Sequence, residues 1–143
     1  MTQILNVDNL VVEYPGKGFR GKPFRALQDV SINISAGETL GLVGESGSGK
    51  TTLGRAILGL APVTEGKISF QGRDISHVNR AERRELSRDI QVVFQDPYSS
   101  LNPSMEIGQI LAEPLEIQGM DSQAARKRIG ELLDQVALPA DSI

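Results

Sequence analysis

Hydrophobic and polar residues alternate along the start of the chain with the two-residue period of β-strands. The alternation runs over residues 4–14 and again over residues 25–34, and residues 35–38 have the composition of a turn. An unbroken apolar stretch at residues 39–43 predicts a further strand, which leads into a glycine-rich segment. Two antiparallel strands ahead of such a strand indicate a small β-subdomain built onto an α/β core.

Helical periodicity replaces the alternation after residue 51. Residues 52–60 carry apolar side chains at i, i+4 and i+7, which predicts a helix, and Gly59 and Pro62 mark its end. A short strand is predicted at residues 67–71, followed by a turn at residues 72–74.

The rest of the chain alternates between charged and apolar segments. Residues 80–89 predict a solvated surface helix with ion pairs three or four residues apart, and residues 90–94 predict a strand buried on both faces. A helix capped by Ser104 is expected to run to about residue 115, and a last helix starts at Asp121 or Ser122. The last helix has an apolar stripe of Ala125, Ile129, Leu132, Leu133 and Val136.

Composition narrows the class of protein. The 143 residues are 39% hydrophobic and 23% charged, as in a globular domain with its own core. The net charge of −3 and the lack of a basic stripe argue against a nucleic-acid partner, and the lack of cysteine excludes disulfides and thiolate metal sites. No apolar run approaches the roughly 20 residues that cross a bilayer, and the first residues do not resemble a signal peptide.

The glycine-rich segment carries the clearest chemistry. It fits the phosphate-binding pattern G-x-x-x-x-G-K-[ST] between a predicted strand and a predicted helix. Glycines let backbone N–H groups surround an anion, and the helix adds its positive end. Lys50 would reach the β- and γ-phosphates and the Thr51 hydroxyl would hold Mg²⁺, whereas the alternative is a flexible loop before a helix. The predicted nucleotide-binding residues of this segment are Gly44, Glu45, Ser46, Gly47, Ser48, Gly49, Lys50, Thr51 and Thr52.

Two further features refine the class. Tyr14 ends the first strand in Val12-Glu13-Tyr14-Pro15, and Gln95 follows the apolar strand at residues 90–94. With the phosphate loop, they resemble the nucleotide-binding domain of ABC transporters. The run Val92-Val93-Phe94-Gln95-Asp96-Pro97-Tyr98-Ser99-Ser100-Leu101-Asn102-Pro103 and the opening Val43-Gly44-Glu45-Ser46-Gly47 are similar to the oligopeptide and dipeptide importer branch.

The resemblance implies an ATP-hydrolysing subunit that uses ATP and Mg²⁺. It implies that Tyr14 stacks on adenine and that Lys50 and Gln95 serve catalysis, with Gln95 also contacting Mg²⁺. Residues 98–103, from Tyr98 to Pro103, would touch transmembrane permease subunits, and a second ATP-binding subunit would pair head to tail. The protein would then lie at the cytoplasmic face of the membrane, held there through the permease. The alternatives are that Tyr14 is a core or strand-end tyrosine, that Gln95 is a polar strand-end residue and that residues 98–103 are an ordinary exposed loop.

The sequence also departs from the family. It has no Leu-Ser-Gly-Gly-Gln signature, no hydrophobic strand ending in Asp-Glu and no switch histidine, since His77 is in the wrong place. The resemblance therefore covers the first part of the family domain. We expect a nucleotide-binding core at residues 1–94, then the Q-loop and the beginning of a helical subdomain at residues 95–143, incomplete at the C-terminus.

Two expectations follow from this departure. The apolar strands at residues 39–43 and 90–94 should leave apolar faces exposed, and the chain should bind ATP with little turnover. A nucleotide-binding regulatory module without catalysis is an alternative of another class. A GTPase is a third, although its Asn-Lys-x-Asp motif does not occur. The importer branch suggests peptides as the solute.

Overall fold

The computed structural model describes residues 2–16, 21–96 and 101–139. The chain forms two compact units, residues 1–91 and residues 92–143, and each is considered by itself. The predicted functional division between residues 94 and 95 stays a prediction.

An antiparallel sheet dominates the first unit. Its strands are β1 (Gln3–Tyr14), β2 (Phe24–Ser35), β3 (Glu65–Phe70) and β4 (Arg73–Asp74), in the order β2-β1-β3-β4. Each neighbouring pair is antiparallel, so the predicted β-subdomain is confirmed. The prediction of a simple turn at residues 72–74 is wrong, because β4 pairs there with the end of β3.

One irregularity in β1 keeps its apolar side chains on the core side. The pairing of β1 with β2 shifts register between Val7 and Leu10, and Asn9 within the shift has φ of 46°. The Asn9 side chain donates to Asp29 Oδ1 at 2.7 Å, and its backbone N–H donates to Ser31 Oγ at 2.9 Å. This extra residue lets Val7 and Leu10, three positions apart, both be fully buried. The core of this unit consists of Leu5, Val7, Leu10, Val12, Leu27, Leu53, Ala56, Ala61, Ile68, Ile75 and Leu86.

Two helices complete the first unit. Helix α1 (Lys50–Ile57) ends earlier than predicted, because Gly59 just beyond it takes the left-handed conformation with φ of 71°. Helix α2 (Arg80–Leu86) begins at a capping box, in which Asn79 and Glu82 satisfy each other's backbone N–H groups. The pKa of the Glu82 carboxyl is lowered, mainly by the hydrogen bond from the backbone N–H of Asn79 and secondly by the hydrogen bond from the Arg73 side chain.

Two predicted strands do not form. Residues 39–43 and 90–94 take part in no strand pairing within the described part of the chain. Val43 is 91% exposed and Val93 is 97% exposed, so the expected exposure of these apolar segments is confirmed. An apolar sequence forms a strand only where a neighbouring strand supplies hydrogen-bond partners, and neither segment pairs with one among the described residues.

The second unit contains a pair of helices, α3 (Ile107–Ile117) and α4 (Ser122–Gln135), which pack on each other. Glu106 rather than Ser104 precedes α3, and Pro114 lies inside it. The predicted start of α4 is confirmed, because the Asp121 carboxylate accepts two backbone N–H groups of its first turn. The buried stripe of α4 is narrower than predicted and consists of Ala125, Ile129 and Leu133. None of the helices in the described part of the chain is long and apolar enough to cross a bilayer.

Arg83 links α2 to the end of α1. Its guanidinium donates to the carbonyl oxygen of Ile57 at 3.2 Å and to that of Ile75 at 2.9 Å. The same group lies over Gly59, where an added Cβ would come within 2.4 Å of it. Burial lowers the pKa of Arg83 from its ordinary value. The prediction that the side chains of this helix are simply solvated is therefore wrong for Arg83.

Arg83→Met should lower the thermal unfolding midpoint. The substitution removes the donor from two carbonyl groups and costs about 1–3 kcal/mol of unfolding free energy. Arg88→Met is the matched control, because Arg88 lies just beyond α2 with an exposed side chain. Equal midpoints for the two variants in calorimetry would show that the Arg83 contacts contribute nothing to stability.

Candidate functional site

Residues 44–51 form a loop that ends in the first turn of α1. The Ser48 N–H donates to the Glu45 carbonyl oxygen at 3.3 Å, which closes a turn within the loop. Gly47 and Gly49 have φ of 84° and 94°, a conformation that side chains other than glycine rarely adopt. The predicted change from glycine-rich loop to helix is present, although the strand expected before it is not.

The Lys50 ammonium group sits on the loop. Its Nζ donates to the carbonyl oxygens of Gly44 at 2.7 Å and Glu45 at 2.6 Å, and to Ser48 Oγ at 3.3 Å. These are hydrogen bonds from a cation to neutral acceptors, so a charged anion entering the loop would attract the ammonium more strongly. The arrangement keeps a positive charge at the mouth of the loop.

The start of α1 adds a second source of positive potential. The first helical hydrogen bond runs from the Leu53 N–H to the Gly49 carbonyl oxygen at 2.9 Å. The N–H groups of Lys50, Thr51 and Thr52 therefore have no acceptor inside the helix. The first turn contains no acidic residue and Gly49 supplies no side-chain cap, so the positive end of α1 is not neutralised locally.

Strand β2 packs against the loop at Gly49. A Cβ added at Gly49 would lie 2.5 Å from Leu27 Cδ2 and 3.0 Å from the Ala26 carbonyl oxygen. The backbone of the loop therefore contacts β2 directly, and α1 is fixed one turn later by the buried side chains of Leu53 and Ala56. Close contact at Gly49 and burial behind it hold the start of the helix in place.

Tyr14 lies in the same unit, at the end of β1. It is half-buried against the core, and its partner across the β1–β2 pair is Phe24. At the preceding position Glu13 accepts a hydrogen bond from Arg25 Nε at 2.6 Å, and this bond raises the pKa of Arg25. The predicted second strand began at Arg25, so the sequence did not place Phe24 opposite Tyr14, where the structure has it.

Thr51 is the candidate magnesium ligand of the first unit, and its side chain is exposed at the start of α1. Within residues 2–16, 21–96 and 101–139, no group of three or more histidine, aspartate or glutamate side chains could hold a metal. Magnesium often takes few protein ligands and completes its coordination with phosphate oxygens and water. The Thr51 hydroxyl therefore fits a metal that arrives with a phosphate ligand.

The remaining predicted site residues belong to the second unit. Gln95 is exposed in a bend. Tyr98 lies outside the described residues, as do Pro97, Ser99 and Ser100. The end of the same loop is exposed, and Asn102 Oδ1 accepts the N–H of Ser104 at 3.0 Å.

A large groove in the second unit is unsuited to a triphosphate. It runs beside α3 and α4 and has a volume of about 1190 Å³. Its charged lining consists of Glu106, Glu113, Glu116 and Arg126, so carboxylates outnumber the single cation. Repulsion between carboxylates and phosphates leaves residues 44–51 as the better anion site.

A glycine-rich loop with a lysine, followed by a helix whose first N–H groups have no side-chain cap, is the arrangement of P-loop nucleotide-binding proteins. Residues 27–142 match the family model described as ABC transporter. The chain belongs to the ABC transporter family, in agreement with the resemblance of its motifs.

Named relatives place the chain near peptide importers. A Brucella ovis protein named for peptide import and ATP binding is 46% identical over 99% of this chain and 44% of its own length. The oligopeptide transport ATP-binding protein OppF of Lactococcus lactis is 42% identical over 100% of this chain and 46% of its own length. The chain therefore spans less than half the length of these relatives.

Solved structures show the same fold. The chain matches cbiO1 of Clostridium perfringens, part of an ABC transporter complex, with a TM-score of 0.71 and 27% identity. The match covers 96% of this chain and 52% of that one. It matches a dimeric bacterial ABC transporter cassette with a TM-score of 0.74 and 26% identity, over 92% of this chain and 56% of that one. The expected α/β fold of the P-loop class is thereby confirmed.

Gly49→Ala should destabilise the loop, whereas Gly54→Ala should not. A side chain at residue 49 would collide with Leu27 and Ala26. The left-handed backbone at residue 49 would by itself lower the free energy of unfolding of an alanine variant by about 1–2 kcal/mol. Gly54 lies inside α1 with nothing within 4 Å of an added Cβ. Alanine there should therefore raise the free energy of unfolding by about 0.4–1 kcal/mol. Thermal unfolding of both variants checks this, and a Gly49→Ala midpoint at or above that of the parent would contradict the close contact.

Proposed function

We propose that this chain binds ATP and Mg²⁺ and forms the nucleotide-binding part of an ATP-binding subunit of an ABC importer for peptides or a similar small solute. The observation that carries the proposal is the loop at residues 44–51, which places the Lys50 ammonium beside a helix start with no acidic residue. A triphosphate supplies the negative charge that this arrangement lacks. The family match and the names of the relatives support the choice of ATP and of peptide uptake.

The residues divide into those that hold the phosphates and those that hold the base. The backbone N–H groups from Gly44 to Thr52 would surround the phosphates, and Lys50 would leave the loop carbonyls for the β- and γ-phosphate oxygens. Thr51 would hold Mg²⁺, which neutralises phosphate charge. Tyr14 would stack on adenine, since an aromatic ring binds a base face without hydrogen-bond readout.

Hydrolysis is a property of the ABC transporter ATPases as a family. Here we propose that Lys50 stabilises charge on the transferred phosphoryl group and that Gln95 contacts Mg²⁺ and the attacking water. The 143 residues include no signature sequence and no strand ending in Asp-Glu. We infer that by themselves they bind ATP with little turnover, because the carboxylate that activates water is not among them.

Coupling to transport requires partners. The relatives' names refer to peptide import and oligopeptide transport, and one matched structure is described as a dimer. We propose that residues 98–103 contact transmembrane permease subunits and that a second ATP-binding subunit pairs with this one. The protein would then lie at the cytoplasmic face of the membrane, held by the permease.

Lys50→Ala should abolish or strongly weaken ATP binding. Loss of a charge-assisted bond to phosphate costs about 2 kcal/mol or more, which raises Kd about 30-fold or more. Lys67→Ala is the control, because Lys67 is also a single cation and its ion pair with Asp74 lies on the exposed surface. Equilibrium binding of labelled ATP measures both variants. An unchanged Kd for Lys50→Ala would refute the assignment of the phosphate loop.

Tyr14→Ala should weaken ATP more than inorganic tripolyphosphate. Loss of a stacked ring costs about 1–3 kcal/mol, or about 5- to 150-fold in Kd, and tripolyphosphate has no base to lose. Tyr14→Phe keeps the ring and should bind ATP like the parent chain. Equal losses for the two ligands in a competition assay would count against adenine stacking at this position.

A further inference from the structure

We propose that Phe24 is a second aromatic contact for the base of the nucleotide, beside Tyr14. This inference rests on the proposed ATP binding and extends the same site to a residue of β2. It concerns the open end of the β1–β2 pair, where the last residue of one strand meets the first residue of the next.

The pairing of the strands brings the two rings to one face. Tyr14 and Phe24 are direct partners in the antiparallel pair, and partners of this kind project to the same side with Cβ atoms about 4.5–5.5 Å apart. Val12 and Leu27 are partners further along, and both are buried in the core. The register shifts by one residue just after Val12, so Phe24 and Leu27 share a side although they are three positions apart. Since Tyr14 packs against the core, the two rings extend the face of the sheet that carries the core.

That face also supports the phosphate loop. Gly49 rests on Leu27 and Ala26 of β2, so the loop lies beside the same strand that begins at Phe24. Phe24 and Leu27 are three positions apart, a distance of about 10 Å along a strand. A triphosphate held by residues 44–51 can extend its nucleoside along β2 toward the two rings.

Exposure distinguishes Phe24 from its partner. Tyr14 is half-buried against the core, whereas Phe24 is 67% exposed. A base that stacks on Tyr14 would cover apolar area on Phe24 that is now in water. A phenyl ring has no hydrogen-bonding atom, so it should add affinity for any purine rather than select one.

Phe24→Trp gives a direct readout, because the 143 residues contain no tryptophan. ATP and GTP should both change the fluorescence of the new indole, whereas tripolyphosphate should change it little. The signal of the parent chain is subtracted. If the variant binds ATP without a fluorescence change, the contact does not exist and the inference is overturned.

Phe24→Ala tests affinity. We expect Kd for ATP to rise about 5- to 10-fold and Kd for tripolyphosphate to stay unchanged, because one exposed ring is lost from the base contact only. Leu60→Ala is the matched control, since Leu60 is also 67% exposed and lies ten residues beyond the start of α1. It should leave both constants unchanged.

The outcomes separate this inference from the proposed function. If Lys50→Ala loses ATP while Phe24→Ala binds it like the parent chain, the role of Phe24 is refuted and ATP binding stands. An equal rise for ATP and tripolyphosphate would also refute it, because the effect would not involve the base. If the parent chain binds no ATP, both proposals fail.

Discussion

The close contact between Gly49 and β2 is the constraint on which the proposed phosphate site depends. Without a side chain at residue 49, the loop backbone reaches Leu27 and the Ala26 carbonyl, and α1 starts at a fixed point above the strand. The burial of Leu53 and Ala56 fixes the direction of the helix behind that point. A helix start attracts an anion best if its N–H groups converge on one place, so this packing supports the anion site proposed for the glycine-rich segment.

The same strand connects the two kinds of contact that a nucleotide needs. Its fourth residue, Leu27, supports the loop, and its first residue, Phe24, pairs with Tyr14. The core that fixes the strand is built from β1 and β3 as well, with Val12 and Ile68 fully buried. The proposed charge recognition and ring stacking would therefore come from different elements that share β2 as a support, so each could be changed without disrupting the other.

Local pattern was enough to predict the parts of the structure that depend on local interactions. The sequence predicted the alternation in β1 and β2, the carboxylate cap of Asp121 and the glycine-rich loop with its lysine, because each depends on neighbouring residues. The strands predicted at residues 39–43 and 90–94 were wrong for the opposite reason. Their apolar composition is compatible with a strand, but pairing requires partners from elsewhere in the sequence.

Arg83 shows the same limit for side chains. In the sequence it is one of several charges on a short helix, and only the fold reveals that it reaches the carbonyls of Ile57 and Ile75. Likewise, the side chain of Arg73 in β4 reaches α2 and forms ion pairs with Glu82 and Glu85. The two arginines tie α2 to the end of α1 and to β4, whereas the start of α1 rests on β2. Helix α1 is thus held at both ends by tertiary contacts, which the periodicity of the sequence does not predict.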